Sequence, residues 1–171
     1  MELDPSNEAH VVAIHEAAHA LAIERTGATV VRLWIRSYAD DGWEGDTGHD
    51  GRGALSDVHA AELDRLTYLA GPLAEEKFTG SMNFDECTWD LAMVSSITEQ
   101  LPESSESLDD ATTRVRSLLD HPPSWNLVVD LASAVLELPQ GVSLPHDEVV
   151  SMASALLAPR PAPGWVIPSA S

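Results

Sequence analysis

A chain of 171 residues is long enough for one domain with a substantial apolar core, and too short for a second sizeable domain beside it. Lys and Arg number 9 against 28 Asp and Glu, a formal charge of −19, so phosphate backbones and anionic lipid surfaces are repelled and neither nucleic acid nor membrane is expected as a partner. Hydrophobic residues still make up 44%, which separates this acidity from that of a disordered chain.

The apolar stretches break before the roughly 18 residues a bilayer span needs, and the acidic start Met1-Glu2-Leu3-Asp4 is unlike a basic secretory leader; the expectation is a cytoplasmic protein. The single cysteine, Cys87, allows no internal disulfide and no CxxC site, so any bound metal is expected to use His and carboxylates. No GxxxxGK[ST] loop precedes Lys77, the only lysine, and no ATPase is expected.

In chain order, apolar residues recur at helical spacing from Glu8 to Arg25, with Ser6 as the expected cap and Gly27 just past the end. Thr29 to Ser37 reads as a strand through Val30, Val31, Leu33, Trp34 and Ile35. Tyr38 to Gly53 holds five glycines and five acids and reads as a solvated loop, whose spacing does not fit a calcium-binding EF-hand. A second helix is expected over Ser56 to Phe78, with Gly71-Pro72 as a small-residue packing site or bend. A third is expected over Asn83 to Gln100, followed by helices at Ala111–Leu119, Ser124–Leu138 and Pro145–Leu157. The Pro- and Ala-rich stretch 159–171 is expected to be a flexible tail. Trp34, Trp89 and Trp125 are expected in the core.

The first helix carries His15-Glu16-Ala17-Ala18-His19, an HExxH motif. Two histidines four residues apart share a helical face and can reach one zinc ion, with the intervening glutamate beside the metal as general base. With 7 His and 14 Glu in the chain, chance supplies only about 0.02 such matches. The surrounding Val11, Val12, Ile14, Leu21 and Ala22 make this an apolar helix, in which polar groups without a partner would be costly. A catalytic zinc site also needs a third protein ligand. His49, His59, Glu44, Asp85 and Asp90 are all available downstream, and spacing does not choose among them.

The order of three motifs bears on that choice. His15-Glu16-Ala17-Ala18-His19-Ala20 is followed by Leu69-Ala70-Gly71-Pro72-Leu73-Ala74-Glu75-Glu76, and then by Asp85 with Ala92-Met93-Val94. This order resembles the peptidase domain of the FtsH-type AAA zinc metalloproteases, and the likeness extends weakly over Leu127 to Ala155. The resemblance implies an α+β, mostly helical fold over residues 1–158, with a zincin-like HExxH helix beside a small sheet. It implies His15 and His19 as zinc ligands, Glu16 as the base and Asp85 as the third ligand. Asp90 becomes the ligand if the alignment shifts by five residues across the shortened turn after Glu76, and Glu86 is a further alternative. The resemblance also implies an extended substrate adding to the edge of the Val30–Arg36 strand. Neither the AAA module nor the membrane anchors of that family are expected within these 171 residues.

Beside these, Glu75 or Glu76 is a candidate to orient a zinc-binding histidine, against the plainer reading of a solvated face or an ion pair with Lys77. Cys87 reads as a small core residue. The functional expectation is a zinc metalloendopeptidase acting on unfolded or flexible protein segments, with a separate unfoldase or a homo-oligomer as possible partners. The alternatives are a silent zinc-binding interaction domain and a regulatory protease dedicated to one substrate.

Overall fold

The computed structural model describes residues 1–38, 42–51, 56–85 and 87–157, without the side chains of 153–157, so the expectations for Glu86 and for 159–171 lie outside the described residues. The described chain is mostly helical, with one two-stranded antiparallel sheet. In order it forms α1 (Glu8–Arg25), β1 (Thr29–Ser37), β2 (Trp43–Asp50), α2 (Asp57–Thr79), α3 (Thr88–Gln100), α4 (Leu108–Asp120), α5 (Pro122–Glu137) and α6 (His146–Leu157). No helix among the described residues is long and apolar enough to cross a membrane.

Helix α1 is the hub, because it is apolar nearly all round, and a helix with no polar face must be enclosed. Its alanines let α2, α5 and both strands pack closely against it. Ile14 and Leu21 are essentially inaccessible, and each contributes about 1.5–3 kcal/mol of burial. The cap is Asn7, whose side chain accepts the Ala9 N–H, in place of the expected Ser6; the Ser6 hydroxyl is spent on Asp4.

In β1 the buried residues are Val30, Leu33 and Ile35, an odd step that alternation alone does not produce. A register irregularity between Val30 and Arg32 absorbs one residue, leaving Val31 exposed and returning Leu33 to the core face.

The composition reading of Tyr38–Gly53 as a solvated loop is corrected by β2, which pairs with β1 from Trp43 to Asp50. The far edge of β1 is not open. Gly141 N–H donates to the Ile35 carbonyl at 2.9 Å, and Leu144 N–H to that of Leu33 at 2.7 Å. Among the described residues, the outer side of β2 makes no backbone hydrogen bond to another segment.

Helix α2 opens at Ser56, as expected, passes through Gly71-Pro72 without ending, and stops at Gly80 in the left-handed conformation, φ 83°. Helix α3 begins at Thr88, five residues after the expected start. The turn before it is tied by the Thr88 hydroxyl, which donates to the carbonyls of Phe84 and Asp85. Trp34 and Trp125 are half-buried, but Trp89 is 70% exposed, against the expectation of a core residue.

Candidate metal centre and active-site cleft

His15 and His19 project from one face of α1 with their rings edge to face, centroids 4.8 Å apart. Each is held by its Nδ1. In His19 that atom donates to the Thr67 carbonyl on α2 at 2.8 Å; in His15 it lies 3.4 Å from Glu75 Oε2, also on α2. Fixing Nδ1 aims Nε2, the usual way in which an outer hydrogen bond orients a ligating imidazole.

Both Nε2 atoms point at the same carboxylate oxygen. Asp90 Oδ2 stands 2.8 Å from His15 Nε2 and 3.4 Å from His19 Nε2. Asp90 lies in the first turn of α3, so two helices, α1 and α3, deliver this triad. Gly71 faces it from α2: a Cβ built there would sit 2.4 Å from His15 Nε2 and 2.5 Å from His19 Nε2. Only glycine leaves room in front of the two nitrogens, and the space it keeps clear is where an ion held by both imidazoles would lie. Two imidazoles and one carboxylate are a donor set suited to zinc, with a position left open.

The structure thus brings Asp90 to the histidine pair, and not Asp85. Asp85 lies exposed in the turn before α3 and lines the same cleft farther out. The expectation from the resemblance was that the ligand opens the third helix. That helix starts at Thr88, so the opening carboxylate is Asp90.

Glu16 is buried beside the triad, and its Oε2 accepts the Thr47 hydroxyl of β2 at 2.6 Å. Gly45, one strand repeat away on the same face, lets β2 approach, since a Cβ there would meet Glu16 Cγ at 2.4 Å. The composition of β2, rich in glycine and acids of low strand propensity, hid Gly45 and Thr47 from the sequence.

The other carboxylates and histidines have separate roles. Glu75 is buried against His15, whereas Glu76 pairs with Arg116 at 2.7 Å and Lys77 with Asp120 at 2.6 Å, so neither glutamate forms the expected pair with Lys77. Glu44 pairs with Arg36. His49 lies 3.4 Å from Asp64, and His59 lies 3.6 Å from Glu62 on the outer turns of α2. Cys87 is fully buried, as expected of a small core residue, yet its thiol also donates to Glu75 Oε2 at 3.4 Å.

Electrostatics follow this geometry. Burial alone would raise the Asp90 carboxyl, but hydrogen bonds from His15 and His19 prevail and hold it well below the usual carboxylate range. Burial would likewise lower His15; its hydrogen bonds to Asp90, Cys87 and Glu75 outweigh this and carry it well above an ordinary histidine. In Glu75 the bonds from His15 and the Asn83 N–H overcome burial and lower its value, while burial pushes the Cys87 thiol up.

The triad and Glu16 lie in an open cleft of about 810 Å³, walled by β2 on one side and by α2 and the start of α3 on the other. No family model matches the chain, and no curated protein is detectably similar to it.

Proposed function

We propose that the protein is a zinc-dependent metalloendopeptidase with a zincin-like site, acting on extended, unfolded segments of protein. The observation that carries this reading is the convergence of His15 Nε2, His19 Nε2 and Asp90 Oδ2 beside a buried glutamate in an open cleft. Zinc bound there supplies Lewis acidity toward a water molecule and the scissile carbonyl.

The chain's own residues do the rest. Glu16 takes a proton from the attacking water and returns it to the amine as the C–N bond breaks, a role suited to a carboxylate within reach of the reacting atoms. The Thr47 hydroxyl fixes which Glu16 oxygen is engaged and so keeps the other available. The outer edge of β2 can pair with an extended backbone laid along the cleft, which only an unfolded or flexible segment can supply. The expectation that β1 offers this edge passes to β2, because the segment from Gly141 to Leu144 already covers β1. An interaction domain without catalysis has no use for a buried base held by Thr47.

The test is metal analysis combined with digestion of an unfolded protein such as casein. The reading predicts stoichiometric zinc and cleavage that a chelator abolishes and added zinc restores. Absence of zinc, or cleavage indifferent to chelation, would overturn it.

A further inference from the structure

The opposite nitrogen of His15 faces a second set of donors. His15 Nδ1 and Cys87 Sγ each lie 3.4 Å from Glu75 Oε2, and all three donor atoms fall within 4.8 Å of one another. They come from α1, α2 and the residue that caps α3. All three are enclosed: Cys87 is 0% exposed, Glu75 3% and the His15 side chain 12%.

The two separations from Glu75 Oε2 match edges of a coordination tetrahedron. Donor–metal lengths of about 2.1 Å for nitrogen and oxygen and about 2.3 Å for sulfur, set at the tetrahedral angle, put neighbouring donors about 3.4–3.6 Å apart. Glu75 Oε1 is engaged by the Asn83 N–H at 3.1 Å, so Oε2 is the oxygen turned toward the other two donors. Nitrogen, carboxylate and thiolate together suit zinc or the softer cadmium, and not magnesium or calcium.

We propose that His15 Nδ1, Glu75 and Cys87 form a second, inhibitory site for a thiophilic divalent cation, joined to the first through the His15 ring. A cation entering there displaces the thiol proton of Cys87 and, with Nε2 already engaged, the Nδ1 proton of His15. It also removes the Glu75 contact that aims the ring, so excess metal lowers activity. The inhibitory effect rests on the peptidase reading above; the ligand set does not.

The test is equilibrium dialysis against zinc, with cadmium titration followed by the thiolate charge-transfer absorption. Wild type should bind a second metal per chain at excess zinc, and Cys87→Ala and Cys87→Ser should bind one; the serine variant keeps a small polar group in the buried position. A His19→Ala/Asp90→Ala variant, which lacks the first site, should still develop the cadmium–thiolate band. Saturation of wild type at one metal with no such band overturns the proposal, as does a second metal that persists in both Cys87 variants. A second metal bound as described, in a protein that cleaves no peptide even when loaded with a single zinc, would instead overturn the peptidase reading and leave this ligand set standing.

Discussion

Asp90 and His15 stand 75 residues apart in the chain, yet Asp90 Oδ2 lies 2.8 Å from His15 Nε2, with His19 Nε2 closing on the same oxygen. Asp85, one helical turn and more upstream, stays on an exposed turn. Asp90→Ala should therefore weaken zinc binding by orders of magnitude, whereas Asp85→Ala should leave it within about twofold, the second change lying outside the ligand shell. Competition with a chromophoric chelator measures both, and the reverse ranking would return the ligand role to Asp85.

Two glycines act on different parts of the site, Gly71 facing the histidine pair and Gly45 facing Glu16. Gly71→Ala puts a methyl group against both Nε2 atoms and should lower zinc affinity by about tenfold or more. The same methyl group crowds both rings in the metal-free protein, so metal-free stability should fall as well, although alanine is the better helix former by about 1 kcal/mol. Gly45→Ala meets Glu16 instead. It should keep zinc while lowering kcat, by about a hundredfold for a displacement near 1 Å. Equal effects of the two substitutions on zinc and on kcat would contradict this division.

The motif on α1 was legible because helical periodicity and HExxH spacing are local, and the apolar surroundings marked that helix as buried. The elements that complete the site were less so. Strand β2 reads as a loop because its glycines and acids have low strand propensity; pairing with β1 makes it a strand, and Gly45 is there to admit Glu16. That Asp90 and not Asp85 meets the histidine pair follows from the start of α3. The residue pattern does not mark that boundary closely; the helix opens at Thr88, whose hydroxyl donates to the Phe84 and Asp85 carbonyls. Trp89, expected in the core, lies beside Asp90 on the cleft and stays in solvent.

The His15–Asp90 pair gives the metal-free protein a pH signature. His15 is raised in the folded state, so its contribution is fully present below the unfolded value of 6.5 and is lost as pH rises through the higher folded value. Asp90 is lowered, so its contribution is present above 3.8 and is lost as pH falls below that. Metal-free stability should be greatest between these two values and decline on both sides. In Asp90→Asn the alkaline decline should shrink. With zinc bound, the histidines must be neutral, so stability should instead rise with pH through the same range. Denaturant midpoints across pH, with and without zinc, check both limbs; an unchanged alkaline limb in Asp90→Asn would contradict the pairing.

The most direct measurement is casein cleavage by zinc-loaded wild type beside zinc-loaded Glu16→Gln. The amide keeps the shape of the side chain and can still meet Thr47, but it cannot accept the proton of the attacking water. The account predicts unchanged zinc content and fold, with kcat lower by about 10²–10⁴. Wild-type activity in the zinc-loaded Glu16→Gln protein would contradict it.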